Sequence, residues 1–406
     1  MGRHILIVSQ YFHPEPFRIT DMAREWVRRG HRVTVLTGIP NYPSGRFYRG
    51  YGLFRRRREV LDGVEIIRIP LLPRGKSAVG MVLNYLSFVL SGFFWKTFTR
   101  LRADLVFTFE VSPMTQALVG VWYAKRRRIP HYIYVQDLWP ENVETVAGIR
   151  SRAVIAPIER MVGYIYKRST RILATSPSFV EAIRERLPEG EREKVFYLPQ
   201  YAEDFYRPIP RETVPELNED GRFRIIFTGN IGEAQGLDVL PRAAAALAAR
   251  GERGIAFVIV GDGRHKDALT AEAERLGVSD LFLLLGRQPA ERIPVLSAAC
   301  DAAFLSFMDD PLFEKTIPAK LQSYLACGMP ILAAASGETA RIIAEADCGI
   351  TTPIGDAERL ADSILEMKRL WERGELSHLA ARARAYFEAH FDKAMLMNRL
   401  DGLLSL

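Results

Sequence analysis

The sequence predicts an α/β protein of two doubly wound domains in tandem, on three observations. Short apolar runs alternate with longer amphipathic ones from residue 4 to residue 334. The alternation breaks once, at residues 199–222, where four prolines stand among charged residues. The chain has 406 residues, more than one core ordinarily serves.

In the first half, residues 4–9 read as a buried strand. Residues 19–29 read as a helix with Met22, Ala23, Trp26 and Val27 on one face. Strands follow at 32–36, 64–69, 105–109, 131–135, 171–175 and 195–198. Strands separated by helices imply parallel βαβ units. Residues 199–222 read as the linker. The pattern restarts at 223–227 and continues through a helix at 237–249 and strands at 256–260, 281–285, 302–306 and 330–334. The expected domains are 1–200 and 201–385. A terminal helix at 386–406 is expected to bury Tyr386, Phe387, Phe391 and Leu396.

Composition narrows the class. The apolar fraction is 48%, as in globular proteins. Cys300, Cys327 and Cys348 form no metal-ligand spacing and fit a reducing cytosol. After Met1-Gly2-Arg3 the apolar run has only strand length, so no secretory signal is expected. Net charge is +7, unevenly spread. Residues 1–200 hold 32 Lys and Arg against 17 Asp and Glu, and residues 201–406 hold 23 against 31. The runs Arg55-Arg56-Arg57-Arg58 and Lys125-Arg126-Arg127-Arg128 suit anionic lipid, nucleic acid or an anionic substrate, and equally a solvated loop.

Residues 79–98 carry one charge, Lys96, and reach the length of a membrane span. Asn84, Ser87, Ser91 and Gly92 dilute the run, and βαβ organisation resumes after it. Three readings stay open: a spanning helix, a buried helix of the first domain, or a helix docked on a membrane face. Arg74, Lys76, Arg100 and Arg102 flank it.

The densest signal is FMDDPLFEKTIPAKLQSYLACGMPIL, residues 307–332. A loop enters an apolar helix at Pro318-Ala319, and the helix stops at Cys327-Gly328. Thr316, Lys320 and the first free N–H groups then surround one point. That suits a diphosphate, although an ordinary loop–helix–strand unit looks the same. Three glycine turns follow predicted strands. FTGNIGEAQG supplies Gly229, Asn230, Gly232 and Gln235. VIVGDG supplies Gly261 and Asp262, and LLGRQP supplies Gly286 and Arg287. Loops at strand C-termini are where α/β sheets bind ligands. In the first half, HYIYVQDLWPEN places Asp137 at a strand end, as a proton acceptor for a hydroxyl or as a cap. The loops YFHPEPFR and IPNYPSG, residues 11–18 and 39–45, read as rigid aromatic walls.

FTGNIGEAQG, VIVGDG and KTIPAKLQSYLACGMPIL, in that order, resemble the donor half of glycosyltransferase family 4. SQYFHPE, GHRVTVLTGIPNYPSG and VQDLWPE resemble its fucosamine-transferase-like branch from surface-polysaccharide gene clusters. The resemblance implies the GT-B fold: two Rossmann-like domains with an interdomain cleft, donor in the second and acceptor in the first. It also implies retaining, metal-independent transfer with no cofactor beyond the donor. Asp309-Asp310 imitates an Asp-x-Asp metal site only superficially. Many members carry two glutamates before the helix-ending glycine. The matching positions are Lys315 and Ser323, so the ribose contact falls in doubt at Ser323, and Glu314 replaces the first by a one-residue shift. The diphosphate-binding Arg and Lys of the first turn match Asn230 and Gln235. Lys320 is then the first choice for neutralising the diphosphate and Arg287 the second.

The expected activity is transfer of a sugar from a UDP-linked donor to a lipid-diphosphate-linked saccharide, an N-acetylated amino sugar being one candidate. The product is a cell-surface polysaccharide: O-antigen, capsule or exopolysaccharide. Thr316, Lys320 and helix N–H groups would stabilise the leaving group. The Gly286-Arg287 turn would meet the base, and Asp137 would orient or deprotonate the acceptor. The protein would sit in the cytoplasm against the inner membrane face. A sugar-nucleotide epimerase or hydrolase is the alternative. A nucleic-acid partner is not expected, because the second half is acidic and no recognition motif is present.

Overall fold

The computed structural model describes residues 2–75, 77–217 and 220–406. Met1, Lys76 and, in the expected linker, Asn218 and Glu219 lie outside the described residues. The chain divides into two compact units. One is Met1–Leu198 with Arg399–Leu406, and the other is Pro199–Asn398.

The first unit is an eight-stranded sheet. In chain order its elements are β1 (His4–Val8), α1 (Ile19–Arg28), β2 (Arg32–Thr37), β3 (Arg58–Leu61), β4 (Val64–Arg68), α2 (Ala78–Phe98) and β5 (Leu105–Glu110). Then come α3 (Ala117–Arg127), β6 (His131–Val135), α4 (Glu141–Ala147), α5 (Arg152–Arg168), β7 (Arg171–Ala174), α6 (Pro177–Glu185) and β8 (Val195–Tyr197). The strand order is β3-β4-β2-β1-β5-β6-β7-β8. β1 pairs β2 on one side and β5 on the other, both parallel. The winding direction therefore reverses between β1 and β5, and a crevice opens at the strand C-termini there. β5 and β6 are buried throughout because helices cover both faces.

One strand of this sheet escaped the sequence reading. β3 is antiparallel to β4. Asp62 and Gly63 join them with φ of 49° and 82°. Two positive φ values make the primed turn that a two-residue hairpin needs, and Asp-Gly is its sequence signal.

α2 settles one of the open readings. Only Asn84, Phe88 and Gly92 of its 21 residues are buried. Gly92 is glycine because a Cβ would run into the Val119 side chain. Val79, Val82, Leu83, Leu86, Leu90, Phe93, Phe94 and Phe98 are all exposed. The helix is attached along a narrow seam of Asn84, Phe88 and Gly92 and is not a helix buried all round in a domain core.

The second unit is six-stranded. It runs β9 (Phe223–Asn230), α7 (Val239–Ala249), β10 (Ile255–Asp262), α8 (Lys266–Arg275), β11 (Phe282–Gly286), α9 (Ile293–Ala298) and β12 (Ala302–Ser306). It continues with α10 (Pro311–Glu314), α11 (Ala319–Ala326), β13 (Ile331–Ala334), α12 (Gly337–Ala346), β14 (Gly349–Thr352), α13 (Ala357–Glu372) and α14 (Leu376–His390). The order β11-β10-β9-β12-β13-β14 is parallel throughout and reverses between β9 and β12. Phe223, Ile225 and Phe227 pack against Leu240, Ala244 and Leu247 of α7 in its core.

The expected terminal helix is two helices, α14 and α15 (Lys393–Leu404). The chain breaks at Phe391, φ −128°. The Asp392 carboxylate then accepts from the Met395 N–H at 2.8 Å, starting a new helix. Phe387, Phe391 and Leu396 are buried as expected. Tyr386 is only half-buried, with its hydroxyl donating to Glu345. Asp401 accepts from Trp26 at 2.9 Å and Arg29 at 2.6 Å, which fastens the last residues to α1.

Candidate active site

Each unit presents polar groups at the C-terminal ends of its strands. In the second unit they gather where β9 and β12 diverge. The glycines expected to form turns are instead the last rungs of strands, Gly229 opposite Gly261 and Asn230 opposite Asp262. Gly229 and Gly261 have φ of 128° and 150°, and a Cβ on Gly261 would overlap the Gly229 carbonyl. Only glycine permits this backbone. The following loop is tied across the reversal point. Ser306 Oγ donates to the Gln235 carbonyl at 2.5 Å, and the Met308 N–H donates to the Ala234 carbonyl at 3.1 Å. Gly236 closes the loop at φ 56°, pressed on the Phe307 carbonyl.

α11 aims two side chains at β9 one turn apart. The Tyr324 hydroxyl accepts from the Thr228 N–H at 2.8 Å and pins the strand. Lys320 lies 4.1 Å over the Phe227 ring and donates to the Gln235 amide oxygen. Burial lowers its ammonium to about 7. Lys320, Gln235 and Gly229 are thus brought together as the sequence suggested. Tyr324 and Phe227 complete the group and were missed, since inside an apolar helix and strand they read as core.

Other expected contacts are differently placed. The Thr316 hydroxyl donates to the Leu312 carbonyl at 2.8 Å, so its proton is already committed. Ser323 is buried and donates its hydroxyl back to the Ala319 carbonyl at 3.1 Å. Pro318 is the N-cap residue of α11, with Ala319 first in the helix. Glu314 is exposed and accepts from Ser336 at 3.3 Å. Asp310 caps α10 through the Leu312 N–H at 2.9 Å, which occupies the carboxylate that imitated a metal ligand. Asp262 accepts from the Gly263 N–H. Gly286 has φ 64°, and Arg287 beside it is exposed. Asn230 and Gly232 are adjacent enough that a Cβ at Gly232 would strike the Asn230 amide. His265 and Asp238, not anticipated, pair at 2.7 Å just beyond.

In the first unit the groups sit beside β1, β5 and β6. Asp137 accepts from the Ser112 N–H at 2.6 Å. It joins the loop after β6 to the loop after β5 and does not cap the segment that follows it. Burial raises its carboxyl, opposed by Ser112. Ser112 Oγ in turn accepts from the Trp139 indole at 3.0 Å. Glu110, the last residue of β5, is fully buried, with the backbone N–H groups of Asp137 and Gln136 beside its carboxyl. Burial, then the Asp137 charge, holds it well above the usual carboxylate range. A second network runs from Gln10 to Asn84 of α2 at 2.7 Å and to Gln116 at 2.7 Å.

The two aromatic loops are rigid, as expected. Tyr11 stacks on Phe17 at 5.1 Å, and Tyr42 packs on both. Glu15 locks them by accepting from Tyr42 and Asn41 N–H groups at 2.7 and 2.8 Å. Burial pushes its carboxyl up to about 7 against those bonds.

Two families of domain match this layout. Residues 17–200 match the glycosyl transferase 4-like domain, and residues 210–385 match glycosyl transferases group 1. The chain is built from the two domains of a GT-B glycosyltransferase. It is 24% identical over 369 residues to a 2-deoxystreptamine N-acetyl-D-glucosaminyltransferase of Streptomyces fradiae, covering 87% of this chain and 82% of that one. It is 25% identical over 341 residues to the putative colanic acid biosynthesis glycosyl transferase WcaI of Escherichia coli, covering 80% and 81%. The structure of Anabaena HepE in complex with UDP-glucose superposes with a TM-score of 0.70, at 16% identity and full coverage of both chains. The fucosamine-transferase branch in particular is not distinguished by these matches.

Proposed function

We propose that this glycosyltransferase moves a sugar from a UDP-linked donor, held by the second unit, to a hydroxyl of a lipid-diphosphate-linked saccharide, held by the first. The product belongs to a cell-surface polysaccharide. The observation that carries the reading is the half-buried Lys320 ammonium, set beside Gly229, over the Phe227 ring and against Gln235, and lowered by desolvation to about 7. An ammonium left without an anion in such a place is prepared for one.

The chemistry follows from the groups present. As the sugar C1–O bond breaks, its electron pair leaves on the diphosphate. Lys320 meets that charge in a partly dry site, where a charge-assisted bond is strongest. Metal-independent transfer is part of the reading. The acceptor hydroxyl gives its proton to Asp137 as its oxygen attacks C1. Retention of configuration is part of the proposal, and no protein nucleophile is assigned. The relatives' printed activities, amino-sugar transfer and colanic acid synthesis, support the substrate class, as does the UDP-glucose held by HepE.

The first unit also supports membrane contact at the cytoplasmic face. Its α2 shows an apolar stripe to solvent. The loop before β3 adds Phe54, 96% exposed, among exposed Arg46, Arg49, Arg55 and Arg56. Apolar insertion flanked by arginines is how peripheral proteins grip anionic bilayers. A thermal-shift panel of nucleotides tests the donor reading. UDP should raise the melting temperature equally with and without magnesium, and Lys320→Ala should abolish the shift. Stabilisation by another nucleotide alone would reassign the donor, and none by any nucleotide would end the reading.

A further inference from the structure

Between the β3–β4 hairpin and the last turn of α2 lies an open groove of about 860 Å³. It sits where α2 ends and the chain turns toward the start of β5, at the end of the sheet away from Asp137. One wall is a face of the hairpin. Arg58 stands opposite Ile67 and Val60 opposite Glu65 in the antiparallel register, so these four side chains share that face. The other wall is Trp95 and Phe98 of α2, with Leu101 beyond them. Val60 is 71% exposed and Phe98 77%. Val82, Leu86, Leu90, Phe94 and Phe98 recur every four residues and are all exposed, so one apolar ridge runs down α2 into the groove.

The charges of the groove do not cancel. Arg32 is paired with Glu65 at 2.8 Å, and Glu59 accepts from the buried Arg68. Arg58 and Arg100 are exposed and form no ion pair among the described residues. A helix C-terminus ordinarily repels anions through its unpaired carbonyls. Here Arg126 donates to the Lys96 carbonyl at 2.8 Å and to that of Thr97, and Arg127 donates to the Thr99 carbonyl at 2.7 Å. Two arginines of the run at 125–128 thus neutralise the end of α2 and leave the groove positive.

We propose that the groove binds one anionic phospholipid, its phosphate between Arg58 and Arg100 and its acyl chain along Val60, Ile67, Trp95 and Phe98. The proposal rests on the membrane contact proposed for the first unit and turns it from adsorption into a site with a preferred lipid. An apolar floor beside two uncompensated guanidiniums matches a molecule that carries an acyl chain and a phosphate side by side. A nucleic acid would meet the arginines and leave the ridge bare, and a neutral lipid would leave the arginines unmet. An occupied site holds the end of α2 to the bilayer and fixes how the first unit is turned upon it.

The test uses the full chain and the fluorescence of Trp95. Dihexanoyl phosphatidylglycerol, kept monomeric below its micelle concentration, should change the indole emission saturably, and Trp95→Phe should remove the change. Arg58→Gln with Arg100→Gln should raise the half-saturating concentration about thirtyfold, a factor of about five for each arginine. Both side chains are exposed, so the melting temperature and UDP affinity of this double variant should stay as in the wild type. An equal response to dihexanoyl phosphatidylcholine overturns the proposal, as does an unchanged half-saturation in the double variant. Displacement of the lipid by glycerol phosphate at equal concentration would reassign the groove to a soluble phosphate ester and also overturn it. Vesicles of equal parts phosphatidylglycerol and phosphatidylcholine separate the two readings. A wild type that binds these vesicles but gives no response to the monomer keeps the membrane contact and loses the groove. A wild type that ignores the vesicles loses the membrane contact and the proposal with it.

Discussion

The two units use one architecture, a parallel sheet that reverses direction beside its first strand, and load it with opposite charge. The second unit desolvates a cation, Lys320, at the reversal point. The first buries acids: Glu15, Glu110 and Asp137. Burial makes each of these groups resist its own charge. A desolvated ammonium is poised to receive an anion, and desolvated carboxyls are poised to receive protons. The proposed division of labour between donor and acceptor halves follows the sign of the desolvated charge, against the net charge of each half, which runs the other way.

Removing the cation gives the largest effect. Lys320→Ala should weaken UDP binding by roughly a hundredfold, from loss of a charge-assisted bond. It should lower turnover by about 10²- to 10³-fold if the ammonium also meets charge developing on the leaving group. Isothermal titration and steady-state rates separate the two. Asp137→Asn should lower turnover by about a hundredfold and leave UDP affinity untouched. Loss of UDP affinity in Asp137→Asn would show that the units do not divide the work as their charges suggest.

The opposite signs also predict opposite pH behaviour. Glu15 has its carboxyl raised from 4.5 to about 7, so its contribution to stability is full below 4.5 and lost as pH rises through 7. Lys320 is lowered from 10.5 to about 7, so its contribution is full above 10.5 and lost as pH falls through 7. Melting temperatures of Glu15→Gln should lose pH dependence between 4.5 and 7, and those of Lys320→Met between 7 and 10.5. Binding sharpens the second case. A bound diphosphate raises the ammonium's proton affinity, so UDP affinity should be flat below 7 and fall up to tenfold per pH unit above it. A Lys320→Met protein whose UDP affinity keeps the same slope would place the titrating group elsewhere.

The sequence exposed the second unit's site better than the first's. Glycines at strand ends, a lysine before an apolar helix and a terminating Cys327-Gly328 are local signals, and Gly229, Gln235 and Lys320 meet as they imply. What it hid depends on tertiary context. Thr316 and Ser323 look like donors to a ligand until their hydroxyls are seen bonded to the carbonyls of Leu312 and Ala319. Glu110 looks like the end of an apolar strand. Its full burial arises only from tertiary packing. β14 was missed because four residues at a sheet edge carry too little apolar pattern to register.

A smaller test contrasts the units' apolar helices. In α7, Val239, Leu240, Pro241, Ala243, Ala244 and Leu247 are buried, so its apolarity is spent on the core. In α2 most apolar residues face outward, and the buried ones are Asn84, Phe88 and Gly92. Composition alone made these helices look alike. Leu86→Glu with Leu90→Glu on α2 should leave the melting temperature nearly unchanged, since both side chains are already exposed. The same pair should weaken binding to vesicles containing anionic lipid, by about tenfold for each leucine withdrawn from the interface. UDP affinity, read in the same preparation, should not move. Vesicle binding that survives both substitutions would assign the membrane contact to the arginine loops alone. A fall in melting temperature would mean that the stripe is covered by protein in solution.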